Sequence, residues 1–298
     1  MKELIKNVLH RLPHISSIHQ QVVRQGRYPA GHYYSPIPSQ EDVLGHLQSR
    51  ESLPLDLPDI QLNKESQFQT LQSFQRFYDE LPFPEKQSPD CRYYFDQPWF
   101  CYADAIFLYS FLRQEKPRRI VEVGSGFSSA IILDTVERFL PQRPEITFIE
   151  PDPERLNSLL RQDDRRHARV LTTRVQDVPS DVMTSLEPGD LLFIDSSHVV
   201  KCGSDLSFLM FRVLPKLTRG VFVHFHDVFY PFEYPPEWLE AGTYWNESYF
   251  LRAFLAYNTE WTIHFFGNYA GFAFEEFIAK KMPLCRRNLG GSLYIRRV

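Results

Sequence analysis

Two short segments hold most of the side chains in this sequence that are able to do chemistry. Asp195-Ser-Ser-His198 closes an apolar run that begins at Gly189, and His224-Phe-His226-Asp227 closes another that begins at Gly220. Carboxylates and imidazoles gathered in one crevice suit either a divalent metal site or an acid/base pair. His224 lies on the same face of its strand as His226 but two residues deeper, so it reads as a core histidine. A third segment, Glu122-Val-Gly124-Ser-Gly126, offers a surface rather than a reactive group. Glycines where a strand turns into a helix let the backbone come close to a ligand, because no Cβ blocks the approach. Glu122 stands just before that turn, placed to meet a cationic or hydroxyl-bearing part of the ligand.

These residues need a sheet to bring them together, and the pattern around them supplies one. A strand over Ile120–Val123 leads into a helix whose apolar positions Ile131, Ile132, Val136 and Phe139 recur at helical spacing until Pro141. A second strand, 145–150, ends on Glu150, with Asp152 as the expected cap and Pro153 as the first residue of the next helix. Glu150 follows the glycine turn by about two dozen residues, the spacing at which doubly wound folds place a carboxylate on a ribose. A third strand is expected over 168–175, before Gln176-Asp177. The fourth and fifth strands are unbroken apolar runs, as in a parallel sheet buried on both faces. Open α/β sheets bind ligands at the carboxyl ends of their strands. Asp195, His198, His226 and Asp227 therefore converge on the mouth that the glycine turn faces. The expected third glycine of a dinucleotide site is Ser129, which speaks against a nicotinamide or flavin cofactor.

Acid-x-Gly-x-Gly without that third glycine resembles the first motif of the class I S-adenosylmethionine-dependent methyltransferases, and the resemblance covers roughly residues 90–298. It implies a Rossmann-like, doubly wound, mostly parallel seven-stranded sheet whose last strand is antiparallel. It also implies that Glu122, Gly124 and Gly126 hold the methionine end of the cofactor, Glu150 its ribose, and Gln176 with Asp177 its adenine. The segment Phe193 through Tyr234 looks like a subgroup that methylates small molecules and glycans, so the implied acceptor is a hydroxyl of a sugar-containing or other small molecule. Metal-dependent O-methyltransferases of the catechol type carry one Asp after the fourth strand and an Asp-Asn or Asp-Asp pair after the fifth. Asp195 matches the first and Asp227 one member of the pair. His226 departs from the pattern, placing a nitrogen where an oxygen is usual. The implied ligands of a divalent metal are thus Asp195, Asp227 and His226, with manganese, iron or zinc favoured over magnesium. The lysine base of that family is replaced by His198, whose ordinary pKa of ~6.5 suits it to take a hydroxyl proton directly. His226 is the second choice of base.

The flanks frame this site. An aromatic, proline-rich loop from Phe229 to Trp238, continuing to Tyr244-Trp245-Asn246, reads as a shaped substrate wall or as packing on the sheet edge. Lys201 and Asp205 read as surface or capping residues. The chain divides into an N-terminal extension over 1–88 and a cofactor-binding domain over 89–298. Residues 1–24 carry an amphipathic pattern, and His32, Tyr33 and Tyr34 belong to a rigid segment that is either a lid or a linker. Residues 62–80 form a polar helix with Phe68, Leu71, Phe74 and Phe77 on one side, expected to pack on the sheet domain. With 298 residues and 43% hydrophobic content the chain buries a full core without staples. Its net charge of −4 gives no electrostatic case for nucleic acid. No apolar run reaches the ~18 residues of a membrane span, and four scattered cysteines fit a reducing, cytoplasmic setting. Two rival functions are an iron-dependent hydroxylase on the same scaffold and a non-catalytic module that binds the cofactor or a partner.

Overall fold

A computed structural model describes residues 27–50 and 55–298, so the amphipathic pattern of residues 1–24 lies outside the described residues. Seven strands form one sheet in the order β3-β2-β1-β4-β5-β7-β6. They are β1 (Arg119–Val123), β2 (Glu145–Ile149), β3 (Ala168–Leu171), β4 (Leu191–Ile194), β5 (Phe222–Phe225), β6 (Trp261–Phe266) and β7 (Leu293–Arg297). The first five run parallel, and β7 is antiparallel to both neighbours, β5 and β6. This is the Rossmann-like sheet expected from the sequence, with its one reversed strand second from the edge. The strand order reverses between β1 and β4, so the crevice outside their carboxyl ends is where a ligand binds.

Period-2 alternation divides the central strands between two cores. Ile120, Leu191, Phe193 and Phe222 join one, while Val121, Val123, Leu192, Ile194, Val223 and Phe225 join the other. Two helices cover the first face: α1 (Tyr102–Glu115), buried from Ala103 through Leu112, and α2 (Phe127–Phe139). The polar helix anticipated near residues 62–80 runs from Lys64 to Gln75 and buries Leu71 and Phe74 in this core. The second core includes Leu206, Leu209, Met210 and Val213, whose helix begins at Asp205, widens to a π-helix over Leu209–Val213 and tightens to a 3-10 turn at Pro215. It also includes Leu251 and Leu255 of α3 (Glu247–Leu255).

Two local expectations are corrected. The third strand ends at Leu171, and Val175–Asp177 form a 3-10 turn instead. The helix after β2 starts at Glu154 with Pro153 before it and no side-chain cap, so Asp152 does not cap it. For the aromatic loop, the packing alternative holds for part of the rings. Phe232 and Tyr234 are buried, and Tyr230 lies 5.0 Å from Tyr269.

One buried ion cluster fixes the segment that precedes α1. Arg92 Nη1 lies 2.7 Å from Asp134 Oδ1, and its Nε donates to Asp164 Oδ2 at 2.8 Å. All three side chains are almost wholly buried, so their charges stand only because they are paired. The clamp ties residues 88–101 to the helices below the sheet and so positions Trp99 and Phe100. A second compact unit comprises described residues up to Leu55 together with Pro235–Tyr244. Within it a capping box at Ser39 and Asp42 starts a helix over Gln40–Ser49, and the rings of Tyr28 and His32 stack at 4.6 Å.

Candidate active site

Gly124 has no room for a side chain. Its φ is +81°, and a Cβ there would lie 1.6 Å from the carbonyl oxygen of Asp195. The turn is therefore locked against the end of β4, and both reach one crevice. Ser129, where a third glycine was looked for, works in the turn: Gly126 N donates to its Oγ at 3.0 Å, and the Oγ donates to Glu122 Oε2. Glu122 is fully buried under the turn and is not among the residues that line the cavity above it. Burial pushes its pKa up to about 8, against the hydrogen bond from Ser129 that pulls the other way. The expectation that Glu122 meets the ligand as a free carboxylate is thus corrected: it is a neutral acid at neutral pH that braces the turn from below.

The cavity itself measures about 670 Å³. Gly124, Ser125 and Gly126 form one wall, and Glu150, Arg174 and Gln176 the next. Asp195, His198, His226 and Asp227 lie at the far end, flanked by Phe100 and Trp245. Glu150 is held by backbone, accepting from Ser125 N at 2.9 Å through Oε2 and from Asp152 N at 2.8 Å through Oε1. Each oxygen keeps a lone pair for a ligand hydroxyl. Gln176 lines the cavity, its Nε2 donating to Gly203 O at 2.9 Å. Asp177 does not line it, because Arg174 holds its carboxylate at 2.8 Å. Ser125 and Ser196 line the cavity with buried hydroxyls that have no partner among the described residues. Orphaned buried polar atoms on a cavity wall fit a polar ligand that completes them.

At the far end four carboxylates surround two imidazoles. His198 Nδ1 lies 2.8 Å from Glu247 Oε2, while its Nε2 lies 3.3 Å from Asp195 Oδ1 and 3.5 Å from Asp227 Oδ2. His226 Nδ1 lies 3.5 Å from Asp195 Oδ1 and 3.5 Å from Asp227 Oδ1, and its Nε2 is 3.3 Å from Asp104 Oδ2. None of the contacts of His226 is aligned as a hydrogen bond. Asp104 in turn accepts from Ser292 Oγ at 2.6 Å and Gly291 N at 3.0 Å. Burial disfavours charge on His198, but hydrogen bonds to Asp195 and Glu247 outweigh it and raise the pKa to about 10. The ring of His226 is likewise pushed upward, burial being overcome by Asp227, Asp195 and Asp104. The carboxyl of Asp195 is held well below its usual range: burial opposes this, and the two rings prevail. The expected pKa of ~6.5 for a free base at His198 is therefore corrected. With no cation between the carboxylates, its ring is protonated at neutral pH and has no lone pair to offer.

His198 and Asp227 both adopt left-handed backbone conformations, with φ of +56° and +57°. Such conformations cost ~1–3 kcal/mol in a non-glycine residue and cluster at functional sites. His224 sits below the cluster as anticipated, stacked on Phe193 at 4.0 Å, with Nε2 3.1 Å from Ser292 Oγ. Lys201 and Asp205, read as surface residues, both line the cavity, and Asp205 Oδ2 accepts from Ser197 N at 2.9 Å. The sequence reading did not single out Asp104, Glu247, Trp99 or Arg155. Asp104 carried a signal, as the one acid in the apolar run Ala103–Leu112. Glu247 looked like an ordinary acid at a helix start. Arg155 lies over Trp99 at 3.7 Å on the cavity rim.

A family model described as a methyltransferase domain matches residues 121–228. An uncharacterized protein of Archaeoglobus fulgidus is 34% identical over 166 residues, or 54% of this chain and 74% of that protein. Among solved structures, the O-methyltransferase TomG from Streptomyces achromogenes, in complex with S-adenosylmethionine, aligns with a TM-score of 0.42 at 16% identity, over 87% of this chain and 99% of its own. An O-methyltransferase from Bacillus cereus in complex with S-adenosylhomocysteine aligns with a TM-score of 0.41 at 16% identity, over 86% and 97% of the two chains.

Proposed function

This chain belongs to the class I S-adenosylmethionine-dependent methyltransferases, and from that premise we propose that it methylates a hydroxyl of a small, sugar-containing or similar acceptor. One observation carries the reading. The glycine turn, Glu150 and the cluster of Asp195, His198, His226 and Asp227 all line one cavity of about 670 Å³. S-adenosylmethionine supplies a methyl group on a sulfonium, so the protein's tasks are alignment and removal of a proton. The turn and the orphaned Ser125 hydroxyl take the amino-acid end, Glu150 the ribose hydroxyls and Gln176 the adenine edge. Asp177, held by Arg174, is left with at most an indirect part in adenine binding. Trp99 and Trp245 offer flat apolar faces on the cavity wall, suited to the C–H face of a sugar ring.

The far end of the cavity is built for a cation. Its four carboxylates outnumber its two imidazoles. Buried charge of one sign is costly until it is matched. The buried Nδ1 of His226, without a hydrogen-bond partner, faces both aspartates. Asp195, Asp227 and His226 therefore fit a divalent metal, which when bound supplies positive charge that lowers the pKa of a nearby hydroxyl. The carboxylates of Asp195 and Asp227 keep 26% and 18% of their side-chain surface open, so both are reachable from the cavity.

Isothermal titration of the full chain with S-adenosylhomocysteine tests the cofactor half of this reading, and mass-shift analysis of hydroxylated acceptors tests the other. Micromolar binding that Glu150→Ala weakens at least tenfold is expected. A folded protein that binds neither form of the cofactor would sink the proposal. Iron-dependent hydroxylation remains the second reading, favoured by the two imidazoles beside two carboxylates. Oxygen consumption by iron-loaded protein, without methyl transfer, is the result that selects it.

A further inference from the structure

Glu247 stands behind His198 and is hydrogen-bonded to its Nδ1, while Asp104 stands 3.3 Å behind the Nε2 of His226. We propose that His198 and His226 are both metal ligands, His198 through Nε2 and His226 through Nδ1. With Asp195 and Asp227 they form a mixed nitrogen–oxygen site that takes a first-row transition ion in preference to magnesium. This deepens, and rests on, the reading of the cavity as a cation-assisted methyl-transfer site.

A histidine that binds a metal uses one ring nitrogen and gives the other to a carboxylate or carbonyl, which sets the tautomer and the aim of the ring. His198 has that arrangement. Its Nδ1 is 2.8 Å from Glu247 Oε2, both side chains are buried, and Nε2 is left toward the aspartates at 3.3 and 3.5 Å. The Asp195, His198 and Asp227 donor atoms all lie within 4.8 Å of one another. His226 stands on the other side without such a hydrogen bond. It is 3% exposed, with Asp104 Oδ2 3.3 Å from its Nε2 and the same two carboxylates 3.5 Å from its Nδ1, and neither nitrogen has an aligned partner among the described residues. An imidazole sunk this deeply with no hydrogen bond is the group that needs an explanation, and a metal ion between the aspartates supplies one. Each ring is also backed by an aromatic surface, Trp245 at 4.2 Å from His198 and Phe100 at 4.9 Å from His226. The rings have little freedom to swing aside.

The donor set decides the ion. Magnesium favours oxygen ligands in near-octahedral array and is held reluctantly by nitrogen. Imidazole with carboxylate suits a first-row transition ion such as manganese, iron, cobalt or zinc, and affinity for such sites rises from manganese through iron to cobalt. His198 is then a ligand rather than a base. This agrees with its place: every nitrogen of its ring already faces a carboxylate.

Pulsed electron paramagnetic resonance of chelator-stripped full-length protein loaded with manganese(II) tests this without reference to activity. Two directly coordinated ¹⁴N couplings are expected, one of which disappears in His198→Ala. Glu247→Gln should keep both nitrogens yet weaken manganese binding about 10- to 100-fold, the range seen when the carboxylate behind a ligating histidine is lost. A roughly 100-fold excess of magnesium should fail to displace manganese. Bound manganese without ¹⁴N coupling, or displacement by equimolar magnesium, overturns the proposal. Binding of S-adenosylhomocysteine by the stripped protein is read in parallel. If that binds and no divalent ion does, the metal inference falls and the methyltransferase reading stands. If nitrogen-coupled manganese binds and S-adenosylhomocysteine does not, the parent reading falls instead.

Discussion

Replacing Glu122 with glutamine should make the protein more stable at alkaline pH, and the size of the gain follows from where the carboxyl sits. Glu122 lies fully buried beneath the glycine turn, one oxygen bonded to Ser129 and the other without a partner among the described residues. Burial raises its pKa from 4.5 to about 8. The folded chain therefore keeps this proton to a higher pH than the unfolded chain does. Below pH ~4.5 both states are protonated and the group has no effect on stability. Between ~4.5 and ~8 the unfolded chain has lost a proton that the folded chain retains, so stability falls as pH rises, at about 1.4 kcal/mol per pH unit. Above ~8 both states are ionised and the loss is complete. Glutamine keeps the shape and the acceptor oxygen but has no proton to lose. The free energy of unfolding of Glu122→Gln minus that of the native chain should thus widen by roughly 2–3 kcal/mol from pH 6 to pH 8. Urea denaturation followed by far-UV circular dichroism at four pH values in that range measures it. Parallel pH profiles for the two proteins would refute the argument, because they would mean that Glu122 titrates alike in both states.

Other outcomes follow from the same coordinates. Gly124→Ala forces a Cβ to within 1.6 Å of the Asp195 carbonyl, so it should cost several kcal/mol and abolish cofactor binding in whatever protein folds, as read by thermal melts with and without S-adenosylhomocysteine. Arg92→Met strands the buried carboxylates of Asp134 and Asp164 and should destabilise by about 3–5 kcal/mol in urea. Asp177→Asn should change S-adenosylhomocysteine affinity less than threefold. Glu150→Gln, which loses a charged acceptor of ribose hydroxyls, should cost about 1.5–3 kcal/mol in the same titration.

The strand-turn-helix corner, Glu150 at the end of β2 and the paired chemistry after β4 and β5 were legible in the sequence because each is local. Glycine spacing, a strand-terminal acid and unbroken apolar runs need no knowledge of distant residues. The partners of the histidines were not legible for the opposite reason. Glu247 lies 49 residues from His198 in the chain, and Asp104 precedes His226 by most of the sheet. Only the closed fold puts them within hydrogen-bond reach, and that proximity turns an expected free base into a buried cation or a ligand. The aromatic loop was legible only as a choice of two roles. Composition tells that rings will be buried but not against what, and Phe232 and Tyr234 went to the core while Trp245 alone of that loop reached the cavity. Asp177 was assigned by its position after β3. The strand stops at Leu171, and the 3-10 turn that follows hands its carboxylate to Arg174.

The placement of β7 makes the cavity a late product of chain synthesis. Residues Gly290–Arg297 emerge from the ribosome after every other strand, yet β7 must slot between β5 and β6, and until it does β5 is an unprotected edge open to strangers. The same segment brings Gly291 and Ser292 under Asp104, and Gly291 is packed so tightly that a Cβ would sit 2.8 Å from Asp227 Cα. Until this segment docks, Asp104, His226 and Asp227 lack their floor, and the open edge of β5 is exposed to mispairing with a neighbouring chain.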